Sequence, residues 1–174
     1  GSSISYEKTG ELMDAAIVTL ERRLANGGGH TGWSRAWIIG LWAHFREGRK
    51  AYENLQAILT MGTYPNLMDN HPLGEHDYVF QIDGNLGASA AVLEMLAYSR
   101  PDRLELLPAV TAETAGGRLR GMGLRSGGTL DMEWKDGKVL WYRIVPGRDT
   151  ELVICVNGKT EEVKLQDGVE YCGK

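Results

Sequence analysis

The sequence predicts an α+β chain in which a helical half precedes a small antiparallel β-sandwich. Three observations carry this. Apolar residues recur at helical spacing through the first hundred positions. Beyond Arg100-Pro101-Asp102 the texture changes to short runs separated by turns. Two of those turns, Asp136-Gly137 and Asn157-Gly158, are the pairs that type I′ hairpins demand, because both residues tolerate positive φ.

The first helix is expected from Tyr6 to Leu24, with Leu12, Met13, Ala16, Ile17, Leu20 and Leu24 on one stripe. Asn26-Gly27-Gly28-Gly29 stops it. Thr31 caps a second helix over 32–46, where Trp33, Trp37, Trp42 and their apolar neighbours cover most of the circumference. A third helix spans 48–61. Residues 62–85 hold two prolines and no sustained period. A loop of that length inside a compact domain is usually functional. A fourth helix, 86–98, is again apolar on most sides, and its run of small residues allows close approach. Strands are expected at 118–124, 129–134, 139–145, 151–156 and 161–165. The boundary is placed so that 1–103 is the helical segment and 104–174 the β domain. Helices apolar nearly all round do not close a core by themselves, so part of their surface is expected to face protein outside this chain.

Composition excludes several functions. A net charge of −4 over 174 residues carries no basic nucleic-acid footprint. No apolar run approaches the ~20 residues of a membrane span. Cys155 and Cys172 define neither a disulfide framework nor a zinc site, and they leave the compartment open. Glycine is abundant, at 23 residues, and three of the five tryptophans fall within ten residues. Glycine turns beside an aromatic cluster point to a shaped cleft, of which a sugar-binding cleft is one kind.

The candidate functional residues lie in the irregular segments that rigid helices hold. His30 occupies the glycine turn, where it reads equally as an ordinary turn residue. Trp33 opens the second helix and is the tryptophan placed to line a cleft, whereas Trp37 at helical spacing reads as core. His71, His76 and Asp77 lie in the long loop, and their spacing matches no compact zinc signature. Asp83, in Phe80–Asn85, reads two ways. It is a helix cap, or a carboxylate held at a helix start and facing a cleft, where the helix dipole favours its ionised form. Asn85 is a second candidate cap.

Five segments in order make the motifs specific: GGGHTGWSRAW (27–37), TYPNLMDNHP (63–72), FQIDGNLGASAAVLEML (80–96), ELLPAV (105–110) and DMEWKDGKV (131–139). Together they resemble the C-terminal part of glycoside hydrolase family 95, the inverting α-L-fucosidases that also include α-L-galactosidases. The resemblance implies that the helices are the last of an (α/α)6 barrel and that the β domain closes the protein. It implies a general acid (a glutamate) and a base (an asparagine), both from barrel segments outside these 174 residues, with Asp83 activating that asparagine. It places His71 on the substrate and His30 and Trp33 on the substrate side of the barrel. One departure stands out. The family runs HPPFQIDGN, whereas LGEHDYV intervenes here between Pro72 and Phe80, which makes His76 a rival to His71 for the sugar. The expected partners are a fucosylated oligosaccharide and the remainder of a parent chain. No cofactor, metal, nucleic acid or membrane span is implied. The fragment alone is expected to be inactive. The alternative is a stand-alone carbohydrate-binding or structural module.

Overall fold

The computed structural model describes residues 3–73 and 77–174. The chain is a mixed α and β structure that divides into two compact units, Gly1–Val92 and Leu93–Lys174. In the first, helix α1 (Tyr6–Ala25) buries Met13 and Leu20, and Thr9 interrupts its first turns. It ends where Gly27, at φ 80°, turns the chain away. The amides of Asn26, Gly27 and Gly28 then satisfy the last open carbonyls. Helices α2 (Gly32–His44) and α3 (Gly48–Met61) follow. Arg35 donates to Asn54 Oδ1 at 2.9 Å, and the Lys50 ammonium lies 4.3 Å from the Trp42 ring centroid while pairing with Glu21 of α1. The long loop contains a small antiparallel hairpin, β1 (Asn70–Pro72) with β2 (Tyr78–Phe80), in which His71 faces Val79. Helix α4 (Ile82–Leu96) comes next.

Two readings of the helical half change. Helix α4 begins at Ile82 rather than 86, because Asp-Gly-Asn fits a helix's first turn as well as a free turn. Trp37 is not core: it is 62% exposed, as Trp33 is 52% exposed, while Trp42 on the opposite side is buried. Among the described residues no closed barrel is formed; four helices and a hairpin make up this unit.

The second unit is a two-sheet structure. β3 (Ala97–Ser99), β4 (Arg103–Leu106), β8 (Thr150–Val156) and β9 (Lys159–Leu165) form one sheet in the order β3-β4-β8-β9. β5 (Gly117–Gly123), β6 (Thr129–Lys135), β7 (Lys138–Val145) and β10 (Tyr171–Gly173) form the other, in the order β10-β7-β6-β5. The two inner faces share a core that includes Leu104, Leu130, Met132, Ile144, Leu152 and Ile154, all essentially inaccessible. The five expected strands are present. Asp136, Gly137, Asn157 and Gly158 all take positive φ, as their hairpins require. The sandwich is not wholly antiparallel, since β4 runs parallel to β8. The chain leaves its sheet after β4, builds most of the second sheet, and re-enters beside β4 in the same direction. Buried polar groups here find partners: Trp134 Nε1 donates to Thr114 O at 2.8 Å, and Tyr142 Oη donates to Glu161 at 2.8 Å.

Candidate active site

The candidate residues fall around the starts of α2 and α4. The glycine turn delivers His30, whose Nδ1 lies 3.1 Å from Gly27 O; a carbonyl only accepts, so the ring donates from Nδ1. Three residues on, Trp33 stands exposed in the first turn of α2, and its backbone N–H reaches Gln81 Oε1 at 3.4 Å. That bond ties the start of α2 to the residue before α4. Asp83 is exposed in the first turn of α4. Its neighbour Asn85 does not cap the helix. Asn85 Oδ1 accepts the Asp69 N–H at 2.9 Å and its Nδ2 donates to Leu67 O at 2.7 Å, so it clamps the 67–69 loop onto α4.

Asp69 is one of the acidic residues that the sequence offers in the long loop, but no motif singles it out. It is 1% exposed, and among the described residues neither carboxylate oxygen has a hydrogen-bond partner. Its head is wedged between two glycines: a Cβ at Gly32 would fall 1.4 Å from Oδ2, and one at Gly84 would fall 1.8 Å from it. Only bare backbone at the first residue of α2 and in the first turn of α4 makes room for this side chain. Burial raises the Asp69 carboxyl above its ordinary value; the His71 charge and then the His71 backbone N–H oppose this, and the negative Asp83 adds to it. His71, two residues along the extended segment, is half-buried, and its Nδ1 is buried without a partner among the described residues. The structure thus gathers Asp69, His71, Gln81, Asp83 and Trp33. His76 lies outside the described residues.

Two concavities flank this cluster. A cleft of about 350 Å³ between α1 and α2 is lined by Leu20, Arg23, Trp33, Ser34, Trp37, Ile38 and Leu41. A smaller one, about 210 Å³, opens between α3 and α4 over Asp69, Gly84 and Asn85. Among the described residues no three His, Cys, Asp or Glu side chains gather as a metal site requires.

Residues 1–96, more than half of the chain, match the profile described as the glycosyl hydrolase family 95 catalytic domain. The chain belongs to glycoside hydrolase family 95. Similar proteins carry names of the same kind. Alpha-L-fucosidase 2 of Arabidopsis thaliana is 34% identical over 180 residues, covering 97% of this chain and 20% of that protein. Probable alpha-fucosidase A of Aspergillus oryzae is 30% identical over 116 residues, covering 60% of this chain and 16% of its own length. Its namesake from Aspergillus niger is 28% identical, covering 74% of this chain and 17% of its own length. The chain therefore spans about a fifth or less of the curated relatives it matches. The family 95 match contains every candidate residue, from His30 to Asp83, and stops at the end of α4, before the sandwich.

Proposed function

We propose that this chain is the C-terminal portion of an inverting glycoside hydrolase acting on α-L-fucosides or α-L-galactosides. In this reading α1 to α4 are the last helices of an (α/α)6 barrel and the sandwich closes the protein. The carrying observation is the FQIDGN segment at the head of α4. It presents an exposed Asp83 in the first turn of the helix, within the stretch that matches a catalytic domain. A match to a catalytic domain weighs against a stand-alone binding module.

Inversion needs an acid on the leaving oxygen and a base-held water on the opposite face, the two groups about 6.5–9.5 Å apart. An asparagine amide is a poor base until a carboxylate polarises it. Asp83 supplies that polarisation through a charge-assisted hydrogen bond to an asparagine from elsewhere in the parent. It sits in the first turn of α4, where unpaired helix N–H groups attract negative charge. His71 binds the sugar, and His30 and Trp33 line its approach. The exposed flanks of α2 and α4, with Trp37, Ile82 and Leu86, are covered by the earlier barrel helices.

The test is hydrolysis of a nitrophenyl α-L-fucoside, with the product anomer followed by NMR. The full-length protein turns over with inversion. The isolated 174-residue chain stays at background, since losing a general acid alone costs ~10²–10⁴-fold. Robust turnover by the isolated chain overturns the fragment reading, and retention of configuration overturns the mechanism.

A further inference from the structure

The glycine turn and the tryptophans after it build a cleft of about 350 Å³ between α1 and α2. Bare backbone sets its walls. A Cβ at Gly28 would fall 2.6 Å from Arg23 Cγ, and one at Gly29 would clash with Ile38 Cδ1, so two lining residues pack onto glycine. Leu20 and Ile38 are buried at its base. Trp33, Trp37 and Leu41 stand four residues apart along α2 and form one ridge on its flank. Trp33 is 52% and Trp37 62% exposed, which leaves roughly 300 Å² of indole surface open in one place. A patch of that size on one flank marks a surface that something lies against.

The chemistry of the cleft narrows the occupant. Among the described residues lining it, only Arg23 and Ser34 are polar and none is acidic. A sugar would bury hydroxyls there with too few partners, and each unpaired one is costly. A second copy seated face to face would set the guanidinium against its own counterpart with no acid between them. A ridge at i, i+4 and i+8 is the shape that fits the groove of another helix, and a guanidinium at the rim draws a carboxylate. Chain to supply both is missing here: these residues cover 20% of the Arabidopsis relative, and the cleft lies wholly inside the stretch that matches a catalytic domain.

We propose that the α1–α2 cleft is the seat of a helix from the part of the parent polypeptide outside these 174 residues. Its apolar stripe covers Trp37, and its edge places an aspartate or glutamate against Arg23. Trp33, at the head of α2, is the mouth of the seat and Trp37 its centre. This rests on the chain being a portion of a longer enzyme; it adds which flank is covered, by what kind of segment and with what charge.

The test is photo-crosslinking in the full-length protein, with benzoyl-phenylalanine replacing Trp37 or Leu41 and the products read by mass spectrometry. The expected product joins the probe, within one chain, to a peptide upstream of the 174 residues that carries apolar residues at helical spacing and an acid. A cross-link to a second copy, to another protein or to a bound glycan overturns the proposal, as does none from either position. Hydroxyl-radical footprinting needs no variant: Trp37 of the wild-type protein is oxidised at least about fivefold more slowly than in urea, and smaller protection leaves the indole uncovered and overturns the seat. Arg23→Glu lowers the Tm, and exchanging the captured acid for lysine in the same protein recovers at least about half of the loss. Losses that add overturn the charge pairing. A full-length protein that ignores α-L-fucosides and α-L-galactosides defeats the functional reading, while the cross-link still decides the seat.

Discussion

The two units of this chain handle polar and apolar groups in opposite ways. In the sandwich, several polar groups are met: Trp134 reaches Thr114 O, Tyr142 reaches Glu161, and Asn157 bonds both the N–H and the C=O of Val139. In the helical unit Asp69, His71 Nδ1 and Trp42 Nε1 are buried without partners among the described residues. Exposed large apolar side chains divide as unevenly. All those recorded lie in the helical unit except Leu93, Leu140 and Val169. A concentration of such departures marks a unit built to do something or to meet something.

The sharpest way to test that contrast is Asp83→Asn in the full-length protein. We expect kcat to fall at least ~10³-fold, about 4 kcal/mol of barrier, with KM little changed. Asparagine keeps the size and capping ability, so stability drops by less than about 1 kcal/mol. A variant that melts earlier yet keeps its turnover reduces Asp83 to a helix cap. Next in size is the mirror experiment in the sandwich. Ile154→Ala, at a fully buried position, should cost about 2–5 kcal/mol in denaturant unfolding and leave the kcat of the folded fraction unchanged. A selective loss of kcat there would break the division of labour between the units.

How much of this was legible beforehand follows the same line. The five sandwich strands announced themselves as short runs between turns: β6 and β8 alternate buried and more open positions, and the Asp136-Gly137 and Asn157-Gly158 turns fix the hairpins chemically. β3, β4 and β10 did not. They are only three or four residues long, too short for any alternation to show. The head of α4 was misjudged because Gly84 reads as a break, whereas its missing side chain serves Asp69. Trp37 was assigned to the core because spacing identifies a helix but not which flank lacks a neighbour. Asp83 and His71 were singled out through their motifs. Asp69 was not, since an acid in a polar loop looks solvated until the fold buries it.

A smaller effect links fold and site. Gly84→Ala sets a methyl 1.8 Å from Asp69 Oδ2, so it should cost about 1–3 kcal/mol by overpacking. Unlike Ile154→Ala, it should also impair turnover, because α4 and the 67–69 loop move apart. Adding Asp69→Ala should restore much of the stability but not the activity. Stability unchanged in Gly84→Ala would mean the wedge is loose.

The smallest expected difference is in acid response. Asp131 of the sandwich is held below the usual carboxylate range, first by the Gly121 N–H and then by Arg143 and Arg120. A depressed folded-state value stabilises above the unfolded value near ~3.9 and is lost as pH falls through the folded one. Asp69 has the opposite sign: its value is raised, so its cost is present at neutral pH and is relieved as pH falls toward ~3.9. Thermal melts should show Asp131→Asn below wild type at pH 7, with the gap narrowing steadily as pH falls below ~3.9. A gap that does not change with pH would assign Asp131 a role other than its charge.

The wedge of Asp69 between Gly32 and Gly84 has a consequence for how the gene can change. A side chain at either glycine is admissible only once the acid has shortened, and shortening the acid first leaves a hole. Each single step out of that combination carries a cost in stability, so the three positions are coupled though they are scattered along the sequence. The exposed strand Tyr78–Phe80 is under no such bond. Variation therefore has a place to accumulate, one strand away from the wedge.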